Sequence, residues 1–253
     1  MHRHSDRTRA AAVLIRWTGV VAVFFLSCCP PPEAADTGAG TEVQGQERAQ
    51  FLERMRDQEQ RIQSVRAAVV QRKRSPLLKE EAVSEGTLLY QRPNRLRWEV
   101  ATPQRAIILI DGYTLLTYRP DRHEAERRDL RDDFASRAAV EFLTAAMDLD
   151  LAELEKRFQV DVLRDAEGTV LRLTPRSPLV AQAVASIAVS LSDGDPVPRS
   201  IVVTGQKGDR TETTLSHVII NPSLPGDAFA LKLGPEVRVR DSRRPAGEVP
   251  GGR

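Results

Sequence analysis

The stretch Arg95-Leu96-Arg97-Trp98-Glu99-Val100-Ala101-Thr102-Pro103-Gln104-Arg105-Ala106-Ile107-Ile108-Leu109-Ile110-Asp111-Gly112-Tyr113-Thr114-Leu115-Leu116-Thr117-Tyr118 decides the fold class. Its first six residues alternate without error. A strand here sends Leu96, Trp98 and Val100 to one face and Arg95, Arg97 and Glu99 to the other. Ala106 to Ile110 is apolar at every position, as in a strand covered on both faces. Asp111-Gly112 signals a hairpin turn, and Tyr113 to Tyr118 returns the chain.

The period of two extends in both directions. Upstream, Val65 to Arg74 and Val83 to Arg92 are strands separated by a turn at Ser75-Pro76. Downstream, Pro120-Asp121 turns the chain into Arg122 to Leu130, a polar strand suited to a sheet edge. Helical spacing brackets this block. Glu47 to Gln63 carries a narrow stripe of Phe51, Met55 and Ile62. Ala139, Phe142, Leu143, Ala146 and Met147 share one helical face, and Asp150 with Glu153 caps a short helix bearing Leu151 and Leu154. Strands then resume at Phe158 to Arg164, Thr169 to Thr174, Ile187 to Leu191, Ile201 to Val203 and Thr211 to Val218. Segregated helices and strands indicate α+β. The expected architecture is a single curved antiparallel sheet, an unclosed β-barrel, with helices covering its concave face.

The ends read differently. Arg3, Arg7, Arg9 and Arg16 precede and flank an apolar run, Trp17 to Leu26, that suits a secretion signal over residues 1–29. An N-terminal membrane anchor is the alternative reading of that run. Leu26-Ser27-Cys28-Cys29 resembles a lipobox, making Cys28 or Cys29 a candidate for lipidation. A cleavage site near Ala34-Ala35 is the rival. Residues 30–46 read as a flexible linker rich in Pro, Gly and small polar residues, residues 47–240 as one domain, and residues 241–253 as a disordered tail. Export places the domain in the periplasm, or at a membrane if a cysteine is lipidated.

Composition narrows the chemistry. Lys plus Arg is 37 against 35 acidic residues, a balance that argues against a nucleic-acid binder. The two cysteines are adjacent in the leader, so the domain has no disulfide and no thiolate. His123 and His217 are the histidines beyond the leader, and His123-Glu124-Ala125-Glu126 lacks the second histidine of a zinc-protease motif. There is no nucleophile elbow and no phosphate loop. No catalytic residue, no metal ligand and no cofactor is expected. What remains is apolar inward surface, which suits a plain core and a hydrophobic-ligand container alike.

Glu85-Gly86-Thr87-Leu88-Leu89-Tyr90-Gln91-Arg92-Pro93-Asn94-Arg95-Leu96-Arg97-Trp98 resembles the signature of the outer-membrane lipoprotein carrier (LolA-like) family. Ile108 to Pro120 resembles its next piece, a strand running through Asp-Gly into an aromatic-tipped strand. Leu171-Arg172-Leu173-Thr174-Pro175 matches a later strand end. Asp227-Ala228-Phe229-Ala230-Leu231 is similar to the terminal element, with Leu231 in place of an aromatic.

The resemblance implies a monomeric periplasmic carrier that needs no cofactor. Its cargo would be acylated lipoproteins, taken from an inner-membrane lipoprotein-releasing transporter and passed to an outer-membrane lipoprotein acceptor. Leu96, Trp98, Ile108, Ile110 and Leu116 are the expected cavity wall, with Phe142, Leu143 and Met147 lining a helical lid. Arg92 holds the family position implicated in keeping that lid closed. An aromatic of the family is Leu96 here, and aromatics are 5% of the chain, so the cavity is poor in rings. A membrane-anchored lipoprotein acceptor or lipid-binding lipoprotein of the same fold is one alternative. A sensory or scaffold domain that holds no lipid is the other.

Overall fold

A computed structural model of the chain describes residues 40–76, 80–131, 151–192, 195 and 197–241. In chain order its elements are β1 (Thr41–Glu42), α1 (Gly45–Glu59), β2 (Ser64–Arg74), β3 (Ala82–Gln91), β4 (Arg95–Thr102), β5 (Ala106–Asp111), β6 (Thr114–Arg119), a 3-10 turn (Pro120–Arg122) and β7 (Glu124–Asp129). There follow α2 (Leu151–Arg157), β8 (Phe158–Asp165), β9 (Gly168–Pro175), the single turn α3 (Pro178–Ala181), β10 (Val184–Leu191), β11 (Ser200–Gly205), β12 (Arg210–Ile220) and β13 (Arg238–Asp241).

All the described strands join one sheet, in the order β1-β8-β9-β10-β11-β12-β2-β3-β4-β5-β6-β7-β13. The two ends of that order do not meet, so the sheet is open. Neighbours that follow one another in sequence pair antiparallel, as hairpin connections require. The departure is β13, which runs parallel to β7 with Arg238 opposite Glu124. β12 returns to the first half of the chain and pairs antiparallel with β2, Leu215 opposite Val69.

Two apolar clusters sit on one face. Phe51, Leu52 and Met55 of α1 and Leu151 and Leu154 of α2 pack with Val160, Leu171, Leu173, Ile187, Val189 and Ile201. Val65, Ala67, Leu88, Tyr90, Leu96, Ile108 and Ile110 form the second cluster. The register shows that both share a face: Val189 opposes Ile201, Ile201 opposes Thr213, and Thr213 opposes Gln71. The polar pair between the clusters is tied, Gln71 Nε2 donating to Thr213 Oγ1 at 3.2 Å. We call this helix-bearing face the inner face.

Two boundaries differ from the sequence reading. The linker expected to reach residue 46 ends earlier. Thr41 and Glu42 pair with Arg164 and Leu163, and Val43 is buried beside α1. The first helix stops at Glu59, short of Gln63. Ile62 therefore leaves the helical stripe and is buried in the second cluster, so the connection after α1 spans the two halves of the core. The domain expected to reach residue 240 closes on strand β13, four exposed residues too short to show a period. The expected cap Asp150 lies outside the described residues.

Between β12 and β13 the chain crosses to the far edge of the sheet. Asn221 fixes its start: its Oδ1 accepts the N–H of Gln63 at 2.7 Å and of Ser64 at 3.1 Å. Its Nδ2 donates to the Arg61 carbonyl at 2.9 Å. Farther on, Arg97 Nη1 donates to the carbonyls of Ala228 and Ala230, each at 3.1 Å. Arg97 belongs to the outer face, opposite Leu89 and Leu109. The segment is thus a strap held to the outer face, where Leu109 is buried although its neighbours in sequence point inward. Arg97→Ala removes both bonds, a loss of about 2 kcal/mol for charge-assisted contacts. Amide exchange should rise first across residues 221–237. Unchanged protection there would show that Arg97 does not hold the strap.

Candidate functional site

Cross-strand register assembles the expected wall. Tyr90 opposes Leu96, Leu96 opposes Ile110, and Ile110 opposes Leu115. The next row runs Leu88, Trp98, Ile108, Thr117 and Glu126. Leu96, Trp98, Ile108 and Ile110 lie side by side on the inner face. Leu96, Ile108 and Ile110 are at most 3% exposed. In this structure their contacts are with one another and with the rest of the second cluster.

Leu116 is a correction. It opposes Leu109 and Arg127, and so lies on the outer face with the strap. Its neighbour Leu115, 2% exposed, takes the place on the wall. Two adjacent leucines cannot both face inward in a strand, and composition alone does not say which one does. Phe142, Leu143 and Met147, together with Cys28 and Cys29, lie outside the described residues. Arg92 opens the turn between β3 and β4, half-buried, its N–H donating to the Gln63 carbonyl at 2.9 Å. Tyr90 braces the same turn from within, its hydroxyl donating to the Pro93 carbonyl at 3.2 Å.

The wall has a polar margin toward β7. Glu126 is 8% exposed and accepts from Arg128 Nε at 2.6 Å. Nearer the centre, the indole Nε1 of Trp98 is buried and has no hydrogen-bond partner among the described residues. His123 and His217 both have left-handed backbone, φ 50° and 51°. His123 closes the 3-10 turn, and His217 lies in the irregularity between Ser216 and Ile219. Both are exposed, and each has a conformational reason for its place. Among the described residues, no group of three His, Cys, Asp or Glu side chains is placed to hold a metal.

A cavity of about 390 Å³ opens under α1, in the other half of the molecule. Phe51, Met55 and Leu191 form its apolar lining, with Arg54, Arg164 and Asp195 among its polar residues. The volume falls in the roughly 300–1,000 Å³ range of small-ligand pockets. Sequence reasoning missed this cavity. Its lining joins one helix to strand ends more than a hundred residues away, and no local period encodes that meeting. No described helix is long and apolar enough to cross a membrane.

Residues 60–232 match the family model for outer membrane lipoprotein carrier protein LolA. The match takes in β2 to β12 and most of the strap. The outer-membrane lipoprotein carrier protein of Bordetella avium is 27% identical over 170 residues, covering 67% of this chain and 77% of the relative. The protein of the same name from Aeromonas salmonicida is 29% identical over 165 residues, covering 65% of this chain and 76% of the relative. Among solved structures, a LolA superfamily protein from Nitrosomonas europaea aligns with a TM-score of 0.43 at 14% identity, over 71% of this chain and 97% of that one.

Proposed function

The chain belongs to the family of the outer membrane lipoprotein carrier protein LolA, and from that premise we propose that it is a periplasmic carrier for acylated lipoproteins. It takes its cargo from an inner-membrane lipoprotein-releasing transporter and delivers it to an outer-membrane lipoprotein acceptor. The observation that carries this reading is the family match across residues 60–232.

The physics of the task fits the inner face. An acyl chain gains about 0.8 kcal/mol for each buried CH₂, so exposing one chain of ordinary length costs on the order of 10 kcal/mol. A carrier replaces the bilayer with its own apolar surface. An open sheet serves this better than a closed barrel, because its helix-covered face can part from the helices without breaking the strand ladder. Leu96, Trp98, Ile108, Ile110 and Leu115 are the proposed acyl contacts. The cavity beneath α1 is lined by other residues and is not part of this wall.

The test is co-purification and transfer. The full chain, exported in a Gram-negative host, should be recovered with lipoproteins in near-equimolar complex, identified by mass spectrometry. It should also release lipoproteins from inner-membrane vesicles and deposit them in outer-membrane vesicles. Recovery of the protein free of lipoprotein, with no release from vesicles, sinks the carrier reading. Arg92→Leu should load normally but hand over several-fold more slowly, since a guanidinium at this turn can bond several carbonyl groups at once. Handover at the unsubstituted rate would remove Arg92 from the mechanism.

A second reading, an anchored lipoprotein acceptor, is favoured by the lipobox-like Leu26-Ser27-Cys28-Cys29. Mass analysis of the mature N-terminus separates the two. An acylated cysteine supports the anchored form, and an unmodified mature terminus supports the shuttle.

A further inference from the structure

Among the described residues, the inner wall holds one buried side-chain polar atom without a hydrogen-bond partner. Trp98 stands between Leu88 and Ile108, in a row whose neighbouring row holds Tyr90, Leu96 and Ile110. Its indole Nε1 is buried and has no acceptor among the described residues. An indole N–H can only donate. A buried donor left without an acceptor costs free energy, and native structures keep few of them. Phenylalanine or leucine would fill the same place without that penalty.

We propose that the Trp98 N–H is the ester-reading group of the carrier: it donates to a carbonyl oxygen of the cargo's acyl–glyceryl linkage. The inference rests on the carrier reading and adds the chemistry that the site recognises. A hydrocarbon chain offers no acceptor, so a purely greasy ligand leaves the donor as orphaned as it is now. A charged headgroup does not belong here either. The central wall is apolar, and the nearest acidic group in the row, Glu126, is already bonded to Arg128. The ligand that fits is a neutral acceptor embedded in alkyl surface, which is an acyl ester. Its carbonyl sits where two chains diverge from a glyceryl unit, so one hydrogen bond fixes how deep the chains lie. The cost of the unsatisfied donor in the empty protein also favours loading, because the arriving carbonyl removes it.

The experiment uses two lipopeptides with the same peptide and the same chain length. In one the glyceryl cysteine carries palmitoyl esters, and in the other hexadecyl ethers, which lack the carbonyls. Binding to the full chain is measured by titration calorimetry. The ester form should bind about tenfold more tightly. In Trp98→Phe, which keeps the ring and loses the N–H, the ester should fall to the affinity of the ether. The readout is the ratio of the two affinities, which should fall from about ten to about one in the variant.

A readout on the unsubstituted protein guards against a folding defect in the variant. The chain has two tryptophans, Trp17 and Trp98. The indole ¹H–¹⁵N resonance missing from Trp98→Phe identifies the second, and it should move downfield with the ester form alone. Equal affinity for ester and ether overturns the inference and leaves the carrier reading standing. So does an ester preference that survives Trp98→Phe. Failure to bind either lipopeptide overturns both.

Discussion

Gly86→Ala is expected to destabilise the protein by about 3 kcal/mol, the upper part of the usual range for forcing atoms into a packed interior. The cause is room, not backbone freedom. A Cβ built on Gly86 would clash with the carbonyl oxygen of Glu99 and lie 3.0 Å from the Cα of Val100. Both are backbone atoms of β4, so no side chain can swing aside. The register between β3 and β4 shifts at this place, with Gly86 opposite Val100 and Glu85 opposite Thr102. A strand glycine at an irregularity where another backbone comes close is a known requirement of sheets. Admitting a methyl group means parting β3 from β4, the strands that hold Tyr90, Leu96 and Trp98 in line. At about 2–4 °C per kcal/mol for a domain of this size, the melting temperature should fall by roughly 6–12 °C. A fall of 2 °C or less would show that the bulge can absorb the methyl group, and that Gly86 serves some other end.

That glycine illustrates how far the sequence can be read. Its presence in the stretch Glu85 to Trp98 is visible, but the Glu99 carbonyl that requires it is not, because the contact depends on cross-strand register. The same holds along the wall. Alternation at Leu96, Trp98 and Val100 places three residues on one face from local information alone. At Leu115-Leu116 two equal candidates compete, and register puts Leu115 inward. The strap and β13 escape a periodic reading because they are held by backbone carbonyls and by polar, exposed side chains. Arg97 appears in the sequence only as the charged member of an alternating strand, yet it anchors the segment from Asn221 to Val237 through Ala228 and Ala230. Trp98 was legible as an inward ring. Its orphaned N–H was not, since the absence of an acceptor is a property of everything packed around it. The cavity under α1 is the extreme case, with Phe51 and Met55 meeting Thr169 and Leu191 from more than a hundred residues away.

Whether the packed wall is a site or an ordinary core can be decided by making the same kind of hole in each half of the inner face. Ile108→Ala and Leu171→Ala both truncate residues that are at most 3% exposed. Each should cost about 3 kcal/mol, within the range of roughly 2–5 kcal/mol for such deletions. Melting temperatures should therefore fall by similar amounts, roughly 6–12 °C. Cargo separates them. Leu171 packs in the cluster that joins α1 and α2 to the sheet, and a hole beneath those helices is not on the proposed ester-binding wall. A diacyl lipopeptide at about a hundred times its Kd should stabilise Leu171→Ala by about 2.7 kcal/mol, the gain expected for the unsubstituted protein at the same saturation. Ile108 stands next to Trp98 on the wall. Alkyl chain can occupy the space its side chain leaves, so the bound form recovers packing that the empty form has lost. At one fixed lipopeptide concentration the ligand-induced rise in melting temperature should be larger for Ile108→Ala than for Leu171→Ala, by several degrees if half the lost packing returns. Equal rises would mean that chains never reach Ile108, and the acyl surface would then have to be sought in the hollow under α1.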